Sequence, residues 1–393
     1  MSHFLLLCLG WVLIVCTVPG NIELAVLTIG GILPVKRRRQ MSDAKPLITK
    51  LAVVVPSHNE AASIGRCVKS LAGCAAPRRP ITVDVVVIAD NCDDLTSARA
   101  RRAGARVIER DDPKRRGKGY ALQDAFERLL LEGYNGFVVV DADSIADTNL
   151  ISELVGLIDK GADGAQARYC VLNVDAGPRT QLMNVALMAF NVLRPRGRQR
   201  WGLSAGIFGN GFALTRATVQ AVPYDVHSVV EDLEYHLRLV RSGRKIAFAN
   251  RTTVRADVPA AGRGARTQRS RWEGGRLRIA MENVPGLVSD ALSGNLRLIE
   301  PLLDLLLPPL GFHVLSLAMI AAIPLAAARM YALCAIGLVA FHVGAAVVVG
   351  GGSRRDFAAL FASPFYVLWK LAAVPGIIRS TGRNADWVRT ERP

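Results

Sequence analysis

Residues 137–144 read F-V-V-V-D-A-D-S, from Phe137 to Ser144. Four apolar, mostly β-branched residues run without alternation, as in a strand covered on both faces, and two carboxylates follow two positions apart. Asp141 and Asp143 thus fall at the carboxyl end of a predicted strand. That is where ligands of parallel sheets bind, and where one divalent cation could engage both side chains. Taken alone, the two carboxylates are better explained as a solvated Asp-rich turn, since the pattern is short and common. The surrounding chain has to decide between these.

Upstream, the same alternation repeats. Leu51 to Val55 (L-A-V-V-V) is a short buried-strand pattern that stops at Pro56 and runs through Ser57-His58-Asn59-Glu60 into a helical pattern over Ala61 to Leu71. Val83 to Ala89 is a second strand, ending in Asp90-Asn91-Cys92-Asp93-Asp94 before a helix that reaches Arg102. Arg106 to Ile108 gives a third, and Gly117-Lys118-Gly119 opens a helix from Tyr120 to Leu131. Alternating strands and helices of this length predict a mostly parallel sheet covered on both faces. Asn59 and Glu60, Asp90, and Asp141 with Asp143 then sit at three strand ends, which turn chemistry alone explains poorly.

Downstream the pattern predicts a helix over 151–159, a strand over 165–173, a packed amphipathic helix over 179–193 and a helix from Val230 to Arg241. Between the last two lies S-A-G-I-F-G-N-G-F-A-L-T, whose glycines suit either a close approach to a ligand or a plain hairpin. Asp232 stands in a first helical turn, where an acidic residue by itself reads as a cap and dipole partner. Ala265 to Arg278 (A-R-T-Q-R-S-R-W-E-G-G-R-L-R) is too basic for core and too aromatic for a linker. It reads as guanidinium on phosphate with an indole against a sugar face, or as an amphipathic helix on anionic lipid.

The ends of the chain differ from its middle. Of 393 residues, His3 to Val35 are almost uncharged and Pro301 to Arg379 mostly apolar, which predicts a soluble domain held between membrane segments. The net charge of +16 is carried in part by Lys36 to Arg39, Arg354-Arg355 and the tail from Arg379, all flanking apolar runs, which favours an anionic membrane over nucleic acid. Basic residues interleaved with aromatics on a nucleic-acid module are not found. Seven scattered cysteines lack C-x-x-C pairing and read as reduced thiols. The N-terminal run has no basic n-region and reads as a retained anchor, either one long span or two short segments around Pro19-Gly20-Asn21. Leu302 to Ala327 and Tyr331 to Gly350 are each long enough to span, and 357–378 reads as an interfacial or re-entrant segment with the tail inside.

The resulting organisation is a membrane anchor at 1–35, a basic linker at 36–50, a catalytic domain at 51–260, a segment with interfacial helices at 261–300, a C-terminal membrane region at 301–378 and a basic tail at 379–393. The positive-inside tendency of the linker places the domain at 51–260 in the cytoplasm, and the expected membrane is an inner membrane of bacterial type.

Five motifs in order carry a resemblance: P-S-H-N-E at 56–60, A-D-N-C-D-D at 89–94 with G-K-G-Y-A-L at 117–122, D-A-D at 141–143, V-E-D at 230–232 and Q-R-S-R-W at 268–272. Over Leu51 to Arg278 and the flanking apolar segments the chain resembles the membrane-embedded, inverting family 2 glycosyltransferases. These include cellulose, hyaluronan, chitin-oligosaccharide and poly-N-acetylglucosamine synthases, with ceramide-type glucosyltransferases as relatives. The resemblance implies an α/β, Rossmann-like GT-A domain with a mostly parallel mixed sheet between transmembrane helices. Glu60 and Asp90 correspond to nucleotide contacts, Lys118 to a group near the donor phosphates, and Asp141 and Asp143 to the pair holding Mg²⁺ or Mn²⁺ against the diphosphate. Asp232 matches the general base. Gln268, Arg271 and Trp272 match the signature in which Arg steadies the leaving diphosphate and Trp supports the acceptor. Two departures are Ala89, where a second Asp is usual, and Val230, where Thr is common.

The implied activity is transfer of glucose or N-acetylglucosamine from a UDP-sugar to a growing β-linked polysaccharide, with a possible export partner. The alternatives are transfer of one sugar to a ceramide- or hopanoid-type lipid, or a non-catalytic synthase subunit. A nicotinamide-dependent oxidoreductase would need G-x-G-x-x-G after the first strand, where Pro56-Ser57-His58-Asn59 stands.

Overall fold

The computed structural model describes residues 3–34, 47–75, 77, 79–259, 262–371 and 374–379, so most of the basic linker and the tail beyond Arg379 lie outside the described residues. In chain order the elements begin α1 His3–Ile32, β1 Lys50–Ser57, α2 Ile64–Ala72, β2 Thr82–Asp90, α3 Thr96–Arg102, β3 Arg106–Arg110, α4 Lys118–Leu131, β4 Gly136–Val139, β5 Ser144–Ala146 and α5 Leu150–Ile158. They continue with β6 Gly164–Val171, α6 Pro178–Met188, α7 Arg194–Arg200, β7 Phe212–Thr215, α8 Arg216–Ala221, α9 Glu231–Arg241 and β8 Ile246–Ala256. Helices α10 Gly262–Leu292, α11 Ile299–Leu306, α12 Leu310–Ala321, α13 Ala326–Gly350, α14 Arg354–Ala359, α15 Ser363–Leu371 and α16 Val374–Arg379 complete the order.

The chain divides into two compact units. One, Val35–Val174 with Ser204–Pro259, contains an eight-stranded sheet in the order β3-β2-β1-β4-β7-β6-β8-β5. Strand β1 pairs in parallel with β2 and β4, and β2 with β3, as the alternation predicts. Strand β7 is antiparallel to both β4 and β6, β6 is parallel to β8, and β5 is antiparallel to β8, so the sheet is mixed.

The unbroken apolar run at 137–140 follows from burial on both faces. Val138 and Val140 pack with Val53, Val55 and residues of α2 and α5, whereas Phe137 and Val139 pack with Ala52, Val54 and Leu122, Phe126 and Leu129 of α4. Each fully buried Val or Phe is worth about 1.5–3 kcal/mol against exposure, which fixes the strand's register.

Strand β8, 11 residues long, corresponds to no element in the sequence reading. Its Asn250-Arg251-Thr252-Thr253 interrupts the apolar pattern, and the pairing with β6 shifts register between Ala167 and Arg168 opposite that polar stretch.

The second unit comprises the described residues of Met1–Pro34, Asp175–Leu203 and Ala260–Pro393. Its N-terminal run is a single helix of 30 residues with Pro19 inside it, which selects one long segment over two short ones. The stretch from Leu7 to Ile32 and helix α13 are each long and apolar enough to cross a membrane. The predicted span at 302–327 is not one straight helix: its two halves meet at 75° across Leu307-Pro308-Pro309. Proline lacks the N–H that would continue the ladder and forces its predecessor out of the α region, and Leu307 is accordingly extended. Residues 354–371 and 374–379 form short helices, and the Q-R-S-R-W segment lies within the 31-residue α10.

A buried ionic cluster joins four helices of this unit. Arg194 and Arg198 of α7 donate to Asp304 of α11 at 2.7 and 2.8 Å, Arg194 also pairs with Glu23 of α1, Arg198 with Glu300 of α11, and Arg276 of α10 reaches Asp304 at 3.0 Å. Polar contacts continue along α1, where Thr17 and Asn21 share the Tyr331 hydroxyl at 2.8 and 2.9 Å, Asn21 meets His313 at 2.8 Å, and Thr28 meets His342 at 2.7 Å. Side-chain hydrogen bonds of this kind hold helices together where the apolar surroundings give little preference for association.

Candidate active site

The loops beyond β1 and β2 are built on two asparagines with left-handed backbones, Asn59 (φ 54°) and Asn91 (φ 50°). Asn tolerates this conformation better than other side chains, and here each amide oxygen also accepts a backbone N–H, from Asp93 at 3.0 Å and from Asp112 at 2.9 Å. His58 Nδ1 lies 2.8 Å from the Asp90 carbonyl oxygen, tying the two loops together. Glu60 sits where α2 begins: its N–H donates to Thr96 Oγ1 at 2.8 Å and its carboxylate accepts from the Ser63 hydroxyl at 2.8 Å.

Asp90, at the end of β2, is buried and paired with Arg110 at the end of β3, at 2.5 Å. Asn91 Nδ2 donates to the same carboxylate oxygen at 2.8 Å. Burial raises the Asp90 carboxyl above its usual range, against the opposing pull of Arg110.

Beyond β4 the backbone is pinned in several places. The Asp141 N–H donates to Asn210 Oδ1 at 3.1 Å, the Asp141 carbonyl accepts from the Ser144 N–H at 3.0 Å, and Asn210 Nδ2 donates to Ser144 Oγ at 2.8 Å. Gln166 clasps the other side, with its amide nitrogen on the Asn210 carbonyl at 2.7 Å and its oxygen accepting the Phe208 N–H at 3.0 Å. The glycine-rich stretch at 204–215 is therefore the support of the D-A-D turn. Asn210 and Gln166 were not among the expected site residues, and a contact 69 positions away in sequence leaves no local pattern.

The Lys118 ammonium bonds Asp141 Oδ1 and the Gly209 carbonyl and stands 3.8 Å from Glu231 Oε1. Gly209 has φ +72°, and a β-carbon there would lie 3.2 Å from Asp232 Oδ2 and 3.5 Å from Lys118 Nζ. Lys118, Asp141, Glu231 and Asp232 thus gather around one glycine, from three separate segments of chain. Gly119, next to Lys118, has no room for a side chain, since a β-carbon would stand 2.1 Å from the Val226 carbonyl oxygen.

Charges in this cluster are strongly coupled. Burial pushes the Glu231 carboxyl up to about 7, with Lys118 opposing and Asp232 reinforcing. Burial likewise raises Asp232, against the Leu233 N–H, which reaches its carboxylate at 2.8 Å, and Lys118. Burial would depress the Lys118 ammonium, but Asp141, Glu231 and Asp232 together hold it above its usual range.

Asp143 is buried, with Ser144 Oγ 3.3 Å from its carboxylate. Its charge and that of Asp141 add to burial in raising the Cys67 thiol. Among the described residues no three His, Cys, Asp or Glu side chains form a metal cage. The donor set does suit a metal shared with phosphates: Mg²⁺ characteristically takes one or two carboxylates, and Asp141 already binds a cationic group, the Lys118 ammonium. Gln268, Arg271 and Trp272 are half-buried on α10, in the other unit.

A mixed sheet whose parallel half ends in these acidic loops is a GT-A-like architecture. The fold matches the mannosyltransferase PcManGT from Pyrobaculum calidifontis, solved with GDP-Man and Mn²⁺, with a TM-score of 0.52 and 17% identity over 95% of this chain and 96% of that one. The profile described as "Glycosyltransferase like family 2" matches residues 49–275, and the chain belongs to that family. It is 25% identical over 246 residues to the probable glycosyltransferase YdaM of Bacillus subtilis (strain 168), which covers 60% of this chain. It is 23% identical over 234 residues to the probable glucomannan 4-beta-mannosyltransferase 1 of Arabidopsis thaliana, which covers 57% of this chain. The alignments span 57% and 42% of those two proteins, so the chain matches about half the length of each.

Proposed function

We propose that the protein is a membrane-bound inverting glycosyltransferase that moves one hexose from a nucleoside-diphosphate sugar to a hydroxyl acceptor. The observation that carries this reading is the convergence of Lys118, Asp141 and Asp232 at Gly209, which supports Asp232 as a base beside the predicted diphosphate site. Asp232 takes the acceptor hydroxyl's proton as that oxygen attacks the anomeric carbon, and the sugar–diphosphate bond breaks on the opposite face, inverting the centre. Lys118 and Arg271 supply positive charge where negative charge develops on the leaving diphosphate. Asp141 and Asp143 would hold Mg²⁺ or Mn²⁺, which when bound neutralises the diphosphate. Glu60 and Asp90 orient the nucleoside, while Gln268 and Trp272 face the acceptor.

The donor is UDP-glucose or UDP-N-acetylglucosamine, and the acceptor a growing β-linked polysaccharide. Transfer to a membrane lipid of ceramide or hopanoid type is the second reading. It is favoured by the bend between α11 and α12 and the short helices after α13, which leave two unbroken full-length spans among the described residues to wall a polymer passage. The placement that fits is an inner membrane with the 51–260 domain on the cytoplasmic side, 261–300 and 357–378 at the interface, and an export partner needed only for a polymer.

Purified full-length protein in nanodiscs, given UDP-glucose, UDP-N-acetylglucosamine and GDP-mannose in turn, tests this by mass spectrometry of the products. GDP-mannose enters the panel because of the mannosyl relative. A polymer ladder supports the first acceptor and a single-sugar lipid adduct the second. No transfer from any nucleotide sugar with Mg²⁺ and Mn²⁺ present, in membranes of the native host, overturns both.

A further inference from the structure

We propose that the Lys118 ammonium is the resident cation of Asp141, and that a divalent ion taking up Asp141 displaces it toward Glu231. This rests on the reading of Asp141 as a metal ligand and adds a residue that sets how readily the ion enters.

Asp141 cannot readily withdraw from the exchange. Its N–H is held by Asn210 at 3.1 Å and its carbonyl by the Ser144 N–H at 3.0 Å, so its carboxylate is presented from a fixed backbone. Lys118 is fixed at its own backbone too. Gly117 before it has φ +117°, and Gly119 after it packs against the Val226 carbonyl with no space for a β-carbon. What remains movable is the four-carbon stem of the lysine.

An ammonium has three donors. Two are used by Asp141 Oδ1 and the Gly209 carbonyl, and Glu231 Oε1 stands 3.8 Å away, a short swing of the side chain. A divalent ion on the same Asp141 oxygen would sit within a few ångströms of the ammonium, and like charges so close are strongly unfavourable. The second berth is ready, because Glu231 and Asp232 put two carboxylates beside it. Metal entry and movement of a positive charge toward the base are therefore one event.

The exchange is read by Mn²⁺ binding to the full-length protein in nanodiscs without nucleotide, using the electron paramagnetic resonance signal of free Mn²⁺. Lys118→Met removes the competitor, so Mn²⁺ should bind about tenfold more tightly, the size of effect one neighbouring charge commonly has on a carboxylate's affinity for a cation. Lys118→Arg should stay near the parent value, and Asp141→Asn should lose the site. Because Lys118→Met leaves the buried Glu231 carboxylate and its neighbours without a counter-charge, which can block folding, a second measurement uses the unmodified chain. Mass spectrometry of amine labelling should show Lys118 reacting several-fold faster with Mn²⁺ present, with Lys50 and Lys245 unchanged. Equal Mn²⁺ affinity of the parent and Lys118→Met, or Lys118 labelling indifferent to Mn²⁺, overturns the exchange while leaving Asp141 as a metal ligand. Absence of Mn²⁺ binding by the parent chain, with or without UDP, overturns the metal reading itself and the exchange with it.

Discussion

Asp90 and Arg110 form an ion pair at 2.5 Å in which each side chain is only 6% exposed. They stand at the ends of neighbouring parallel strands, β2 and β3, in register with each other. The pair holds the carboxylate in one orientation at the mouth of the sheet, and Asn91 Nδ2 adds a second constraint. Breaking a buried pair by removing one partner leaves an uncompensated charge, at a cost of about 3–5 kcal/mol. Arg110→Met should therefore lower the thermal midpoint sharply and weaken UDP binding, whereas Arg110→Lys should recover part of both. Unchanged UDP affinity in a folded Arg110→Met protein would show that Asp90 does not need this partner to meet the nucleotide.

The base assignment makes a pH prediction with a definite sign. A general base works deprotonated, and burial raises the Asp232 carboxyl, so the deprotonated fraction builds up only at a pH above the usual carboxylate range. Turnover should climb with pH through a limb in that range, and Glu231, pushed up to about 7 beside it, should broaden the limb. Asp232→Asn should lower kcat by about 10²- to 10⁴-fold with donor affinity kept. Normal turnover in Asp232→Asn would hand the role to Glu231 or Glu234.

How far this site can be read from the chain itself depends on the range of the contacts. The D-A-D turn is legible because a run buried on both faces must end where its polar residues begin, and β4 does end at Val139. The lysine is legible because Gly117 and Gly119 bracket it at a helix start. The supports are not: Asn210, Gln166 and Arg110 meet their partners through strand pairings whose partners are set by the whole sheet. Strand β8 is hidden for a related reason, since Asn250-Arg251-Thr252-Thr253 break its apolar pattern although Thr252 and Thr253 are buried. The break in the predicted 302–327 span, by contrast, was written in Pro308-Pro309, and the apolar composition around it masked the signal.

Chelation gives a direct check on Asp141 and Asp143. EDTA should abolish transfer, and Mn²⁺ or Mg²⁺ should restore it. Asp141→Asn should resist restoration at any concentration that rescues the parent chain. Asp143→Asn should also fail, although its buried carboxylate makes a folding control by circular dichroism necessary. Full activity in EDTA would remove the metal role from both residues.

Gly209 offers a test of geometry rather than charge. At φ +72° a residue with a side chain costs about 1–2 kcal/mol, and the new β-carbon would sit 3.2 Å from Asp232 Oδ2 and 3.5 Å from Lys118 Nζ. Asp232 would have to give way by a few tenths of an ångström, while Lys118 would be in ordinary van der Waals contact with the new methyl group. Gly209→Ala should therefore reduce kcat about tenfold or more while KM for the donor changes little, since sub-ångström misplacement acts on the reacting groups first. A fall in donor affinity with kcat intact would mean that Gly209 serves the nucleotide rather than the base.

The ionic cluster of the helical unit predicts coupling between residues far apart in sequence. Asp304 accepts from Arg194 at 2.7 Å and from Arg198 at 2.8 Å, and Arg276 reaches it at 3.0 Å, so one carboxylate serves three guanidinium groups from two other helices. Asp304→Asn should leave three positive charges, two of them buried, against Glu23 and Glu300 alone, destabilising the unit by about 3–5 kcal/mol. Arg194→Met alone should also destabilise, but adding it to Asp304→Asn should cost less than the sum of the two, because the surplus charge is then reduced. Thermal unfolding of the two single variants and the double in nanodiscs measures this as a coupling energy of about 0.5–3 kcal/mol, as expected for members of one network. Additive losses would mean that Arg194 and Asp304 contribute independently and that the cluster is not a single lock between α7 and α11.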